Sequence, residues 1–217
     1  MYPKSVIEQV VKSQRERLNK TDKGMWRKIS GFERLSTHAF IVSGVRRCGK
    51  STVLQQIDTA SKEPSIYLNF EDPRLAGFDL SDFNRLQEIA EEAGINRYFF
   101  DEIQEIEGWE SFIRFRLDEN YRIFISGSNA RILSKELGSK LTGRHITREL
   151  FPFSYLEYLE FTAKSRNEES SEQYLRDGGF PEYLKTELDD VLMQVFNDII
   201  SRDIILRYRI KNAEIIK

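Results

Sequence analysis

Gly44-Val-Arg-Arg-Cys-Gly49-Lys50-Ser51 is the stretch of this 217-residue chain whose residue types and spacing point most directly to chemistry. Gly-x4-Gly-Lys-Ser suits a loop whose backbone N–H groups wrap the phosphates of a nucleotide. Its lysine reaches the β- and γ-phosphates, and its hydroxyl holds Mg²⁺. The expected nucleotide contacts are therefore Gly44, Val45, Arg46, Arg47, Cys48, Gly49, Lys50, Ser51 and Thr52. Cys48 occupies a permissive position of the pattern and reads as tolerated rather than reactive.

Tyr98-Phe-Phe-Asp101-Glu102 supplies the second half of such a site. A buried apolar strand would deliver Asp101 to its C-terminal edge, where ligands of open α/β sheets bind. Asp101 can then hold Mg²⁺ through water, with Ser51 as the other protein group on the metal. Glu102 is placed to polarise an attacking water. The competing reading is a strand that ends in a charged turn.

Ser128 and Asn129 follow the next apolar strand. Asn129 is the candidate sensor of the γ-phosphate, while either residue could instead cap the following helix. Arg144, in Leu141-Thr-Gly-Arg144, could project into a neighbouring subunit's nucleotide as a finger, or form an ion pair on a solvated face. Arg131, Arg148 and Arg202 compete for that role. Arg46 and Arg47 could touch phosphate or pin the carboxylates of Glu71 and Asp72.

These residues need a strand–loop–helix frame. Ala39–Ser43 is a short apolar, β-branched run, and Val53, Leu54 and Ile57 follow the glycine loop at helical spacing. Further strands are predicted over 65–70, 97–100, 121–127 and 146–151, with helices over 82–93, 108–120 and 130–141. Strands alternating with helices predict a parallel sheet with crossover connections. Ahead of it, residues 4–20 read as a basic amphipathic helix, followed by a second short helix around 25–35. After Pro152 the alternation stops, and 153–161, 171–176, 181–185 and 188–207 all read as helices. The expected organisation is an N-terminal helical segment over 1–35, a nucleotide-binding core over 36–152 and a helical lid over 153–217. The last helix carries no stop signal, so the lid is expected to continue into a further C-terminal domain.

Bulk properties set few limits. Hydrophobic residues make up 40% and charged ones 31%, and the net charge is −2, so global charge favours neither nucleic acid nor membrane. Residues 1–50 carry 12 Lys/Arg against 4 Asp/Glu, and 149–190 carry 4 against 11. That asymmetry suits solvated helix faces, or an N-terminal arm meeting a phosphate-rich or acidic partner. One cysteine excludes an internal disulfide framework, and no run is long and apolar enough to span a bilayer, so a cytoplasmic protein is expected. His38 and His145 are the only histidines and suit no zinc site. Asn19-Lys-Thr-Asp22 precedes the phosphate loop instead of following it, which disfavours GTP.

Taken in order, the motifs resemble a known family. Gly44–Ser51, Tyr67-Leu-Asn-Phe-Glu-Asp-Pro-Arg74, Phe100-Asp-Glu-Ile-Gln104 with Trp109, Ser126-Gly-Ser-Asn129, Leu141–Arg144, Pro152-Phe-Ser154 and Gly178-Gly-Phe-Pro181 look like the prokaryotic AAA-type ATPases of the AAA_14 family. Members of that family usually carry a DUF4143 C-terminal domain. The resemblance covers residues 35–210. It implies an AAA-like P-loop NTPase core with a five-stranded parallel sheet, a small helical lid, and ATP as the nucleotide. It also implies Lys50 and Ser51 on phosphate and Mg²⁺, Asp101 on Mg²⁺, Glu102 as base, Asn129 or Ser128 as sensor and Arg144 as finger. Gly178–Pro181 would lie in the lid against the nucleotide.

The function expected on these grounds is a Mg²⁺-dependent ATPase that passes a shape change to a protein partner, assembled as a homo-oligomer if Arg144 acts between subunits. A nucleotide-gated binding module with little turnover is the alternative. A phosphotransferase would need an acceptor pocket, and the Asp-Glu pair favours water as acceptor. Nucleic acid as a partner rests on the basic N-terminal helix alone.

Overall fold

The computed structural model describes residues 1–33, 35–128, 141 and 143–205, with the backbone alone at 202–204. Its centre is a sheet of five strands: β1 (Ala39–Gly44), β2 (Ile66–Asn69), β3 (Arg97–Asp101), β4 (Arg122–Ser128) and β5 (His145–Leu150). The strands run in the order β2-β3-β4-β1-β5 and every pairing is parallel. Parallel neighbours cannot be joined by tight turns, so the connections cross over the sheet faces. Residues of β1 and β3 are buried throughout, as expected for central strands covered on both sides.

Helices α1 (Lys4–Lys20), α2 (Lys50–Ser61), α3 (Leu80–Glu92) and α4 (Trp109–Asp118) flank the sheet. One apolar cluster joins Ile7 and Val10 of α1 to α3, α4 and the face of the sheet that carries Ile41, Leu68, Phe100 and Ile125. The other joins Leu18 and α2 to the opposite face, with Phe40, Val42, Phe99 and Phe124. Helix α1 therefore serves both clusters and lies against edge strand β2. Gln14 fixes it there: its Oε1 accepts from the Asn69 amide at 2.8 Å, and its Nε2 donates to the Asn69 carbonyl at 3.2 Å. A helix bonded to an edge strand also shields that edge from pairing with another chain.

The second short helix expected around 25–35 does not form among the described residues there. Gly24 and Gly31 take left-handed backbone angles, with φ of 59° and 95°. Gln56 of α2 also claims the local backbone, donating to the carbonyls of Lys23 and Met25 at 2.8 Å each and accepting from the Arg27 amide at 3.1 Å. Backbone groups committed to α2 are lost to a helix.

After β5, Ser154 and Glu157 form a reciprocal cap that starts α5 (Tyr155–Thr162). Then come α6 (Glu168–Asp177), α7 (Pro181–Thr186) and α8 (Asp189–Asp198). The single helix expected over 188–207 changes at Ile199 to a π-helical turn through Ile205. The helix expected over 130–141 falls almost wholly outside the described residues. No described helix is long and apolar enough to cross a membrane.

Candidate nucleotide site

Strand order assembles the site. β4 lies between β1 and β3, so the loop after β1 and the carboxylates after β3 flank the end of β4. Gly44 must be glycine: its φ is 156°, and a Cβ there would meet the Leu150 carbonyl oxygen at 2.2 Å. Arg47 and Gly49 take left-handed angles, φ 60° and 101°, that curl the loop into the start of α2. No side chain caps that helix, which leaves its first amides and the positive end of its dipole for an anion. Cys48 turns inward, donating to the Leu150 carbonyl at 3.3 Å, and burial pushes its thiol up.

The Lys50 ammonium donates to the Val45 carbonyl at 3.0 Å and stands 3.8 Å from Glu102 Oε1. Glu102 is 7% exposed, and burial pushes its carboxyl up against the opposing pull of Lys50. Its backbone is left-handed, φ 52°, a conformation that costs a non-glycine residue on the order of 1 kcal/mol.

Asp101 is fully buried and tightly held. Tyr67 donates its hydroxyl to Oδ2 at 2.8 Å, Asn69 Nδ2 stands 3.5 Å from the same oxygen, and the Ser126 hydroxyl donates to Oδ1. Register explains this, since Asn69 pairs with Asp101 across β2 and β3 and Tyr67 lies two residues earlier on the same face. A carboxylate with both oxygens oriented by donors has the chemistry of a hard-oxygen ligand, and the Ser51 hydroxyl is an oxygen donor of the same kind. Ser51 and Asp101 line a shared cavity of about 480 Å³ with Tyr67, Asn69, Gln14 and Arg17, so α1 forms one wall of it.

A second cavity, about 720 Å³, lies over the phosphate loop. It is lined by Lys50, Ser51, Thr52 and Glu102 below and by Pro181, Glu182 and Lys185 of α7 above. The Gly178–Pro181 turn therefore does bring a helix over the loop. Gly179 makes this possible by packing on Phe153, whose amide donates to its carbonyl at 2.7 Å. Of the two loop arginines, Arg46 stands 3.3 Å from Glu71, one of the expected carboxylates, while Arg47 pairs with Glu182 of α7, a partner outside the expected set. Asp72 goes instead to Arg74, at 2.6 Å.

Not every expected site residue converges here. Ser128 reaches the end of β4 with its hydroxyl buried and without a hydrogen-bond partner among the described residues, and Asn129 lies outside them. Arg144 sits just ahead of β5, half-exposed and paired with Asp118 of its own chain. The reading of the residues overlooked Tyr67, Asn69, Ser126 and Gln104. The i, i+2 spacing of Tyr67 and Asn69 was the available signal, since it puts both on one face of β2. The basic character of α1 is partly internal: Lys4 pairs with Glu92 and Arg15 with Asp58.

Known proteins with similar sequences include an uncharacterized protein of Methanocaldococcus jannaschii. It is 36% identical over 196 residues, which cover 82% of this chain and 44% of that protein. An uncharacterized protein of Haemophilus influenzae is 34% identical over 196 residues, covering 82% of this chain and 48% of its own length. The chain thus spans about half the length of these relatives. Among solved structures, AMPPCP-bound DnaA from Aquifex aeolicus aligns with 89% of this chain and 65% of its own, at 12% identity and a TM-score of 0.46. A Walker-type ATPase of Pyrococcus abyssi aligns with 78% of this chain and 69% of its own, at 17% identity and a TM-score of 0.48. The glycine loop, the Asp101-Glu102 edge and β5 all lie within residues 36–159, the stretch matched by the AAA_14 family model, described as an AAA domain, and the chain belongs to that family.

Proposed function

We propose that this protein hydrolyses ATP with Mg²⁺ and passes the resulting change of shape to a partner. The observation that carries the reading is the meeting of Lys50 and Glu102, 3.8 Å apart, at the mouth of an uncapped helix with Asp101 buried alongside. That combination supplies a cation for phosphate, a carboxylate for water and a carboxylate for a metal.

The loop amides and Lys50 would bind the β- and γ-phosphates, and Ser51 and Asp101 would hold Mg²⁺. When bound, Mg²⁺ neutralises charge on the β- and γ-oxygens. Glu102 would orient water in line with the γ-phosphorus. The water oxygen bonds to phosphorus as the bond to the β–γ bridging oxygen breaks, and the water proton passes to the carboxylate. ADP and inorganic phosphate are the products. Ser128 and Asn129 would sense the γ-phosphate from the end of β4. Arg47 and α7 would report the state of the loop to the helices after Pro152, which we read as the lid. Arg144, half-exposed, would act on a neighbouring copy in a homo-oligomer by leaving its pair with Asp118.

The test is phosphate release from Mg-ATP over a range of protein concentrations. Turnover abolished by Glu102→Gln is expected, and a per-chain rate that rises with concentration and is lost in Arg144→Ala would support the finger. ATP binding without turnover above the Glu102→Gln control would replace hydrolysis with the alternative, a nucleotide-gated binding module.

A further inference from the structure

Gln104 is two residues beyond Glu102, in the short 3₁₀ turn Ile103–Glu105. Ile103 anchors that turn in the core with no exposure, and the Glu102 amide is tied to the Ser126 carbonyl at 3.1 Å. From this fixed base, Gln104 Nε2 donates to Glu102 Oε2. The other carboxylate oxygen, Oε1, is the one that stands 3.8 Å from the Lys50 ammonium. The two oxygens of the base thus face different groups, one the amide and one the phosphate-binding lysine.

The amide is costly where it sits. Gln104 Oε1 is buried and has no hydrogen-bond partner among the described residues. A buried acceptor left unpaired is a penalty that an apolar side chain of the same length would avoid. Packing alone therefore favours methionine at this position. What methionine could not provide is the N–H donor to Glu102.

We propose that Gln104 is a positioning residue for hydrolysis: by holding Glu102 Oε2 it keeps Oε1 directed at the phosphate side, where the attacking water must be received. The assignment rests on the hydrolytic reading above. Glu102 has three side-chain torsions, and a base that wanders by about 1 Å can lose roughly a hundredfold in rate. A charge-assisted hydrogen bond to Oε2 restricts that freedom.

Gln104→Met keeps length and burial but has no donor, and Gln104→Glu keeps the shape while replacing the N–H donor with a second carboxyl that repels Glu102 or shares a proton with it. Three quantities should be measured on each full chain: affinity for AMPPCP, affinity for ADP–aluminium fluoride, and the single-turnover rate. AMPPCP binding is expected within twofold of wild type. The rate and the ADP–aluminium fluoride affinity are both expected to fall about ten- to a hundredfold, with the melting temperature of Gln104→Met unchanged or raised. Wild-type rate and wild-type ADP–aluminium fluoride affinity in Gln104→Met would overturn the assignment and leave the ATPase reading standing. AMPPCP affinity falling in step with the rate would also overturn it, since that is the signature of a merely structural side chain. A wild-type chain that binds AMPPCP yet neither turns over nor prefers ADP–aluminium fluoride would remove the hydrolytic reading and this assignment together.

Discussion

The Tyr67 hydroxyl donates to Asp101 Oδ2 at 2.8 Å from the neighbouring strand, inside the sheet and out of solvent. Burial and the adjacent carboxylate push that hydroxyl well above its ordinary range, so it stays protonated and remains a donor. Removing the hydroxyl in Tyr67→Phe keeps the ring packing but frees one carboxylate oxygen. Partners that orient a ligating carboxylate typically matter ten- to a hundredfold in metal affinity. The Mg²⁺ concentration needed for half-maximal nucleotide binding is expected to rise by about that factor. An unchanged Mg²⁺ titration would mean that Asp101 is oriented well enough by Ser126 and Asn69.

The pair between Arg47 and Glu182 joins the phosphate loop to α7, with both side chains partly exposed. Exposed pairs contribute roughly 0–1 kcal/mol, so Glu182→Gln should leave the melting temperature nearly unchanged. It should, however, release Arg47 for phosphate. ATP affinity is expected to tighten severalfold, most visibly at low salt. If affinity does not change, Arg47 does not turn to the nucleotide when Glu182 lets go.

Gly179 has no room for a side chain. A Cβ there would lie 2.1 Å from the Phe153 carbonyl oxygen and 2.8 Å from its amide nitrogen, both backbone atoms that cannot step aside. Gly179→Ala must push the turn off Phe153 and carry α7 away from the loop, at a cost of about 1–3 kcal/mol. Hydrogen exchange should show faster opening over 153–187 while β1, β3 and β4 stay protected. Uniform loss of protection over the whole sheet would show instead that this turn is part of the main cooperative unit.

Acid should weaken the β2 end of the site. The Arg74 guanidinium, bonded to both Asp72 oxygens, holds that carboxyl well below the usual carboxylate range, with Gln14 adding a further hydrogen bond. A carboxyl lowered by folding contributes stability that is present above its unfolded value, about pH 4. That stability drains away as pH falls toward the folded value. Asp72→Asn is therefore expected to lower stability at neutral pH and to flatten its decline below about pH 4. Chemical denaturation of both proteins between pH 7 and pH 2.5 measures this. Parallel curves would mean that other carboxyls dominate the acid limb.

The division between sequence and structure follows from how far each interaction reaches. The glycine loop was legible because its shape is set by contiguous residues: Gly44 and Gly49 fix the local backbone that leads into Lys50 and Ser51. Asp101 and Glu102 were legible because an apolar strand announces its own buried edge. The alternation of strands and helices likewise gave the parallel sheet. The misread stretch at 25–35 failed because Gln56, far along the chain, takes its backbone hydrogen bonds. No local propensity can encode such a partner. The groups that orient the site lie on β2, β4 and α1, and only strand order and register bring Tyr67, Ser126 and Gln14 to Asp101 and Asn69. Likewise, Arg47 meets Glu182, and Gly179 packs on Phe153, between residues far apart in the chain. Sequence determined the motifs on which the proposed chemistry rests, because those motifs are short and contiguous. Tertiary structure decided how the reactive groups are held, because their partners are distant residues whose meeting only a folded sheet can arrange.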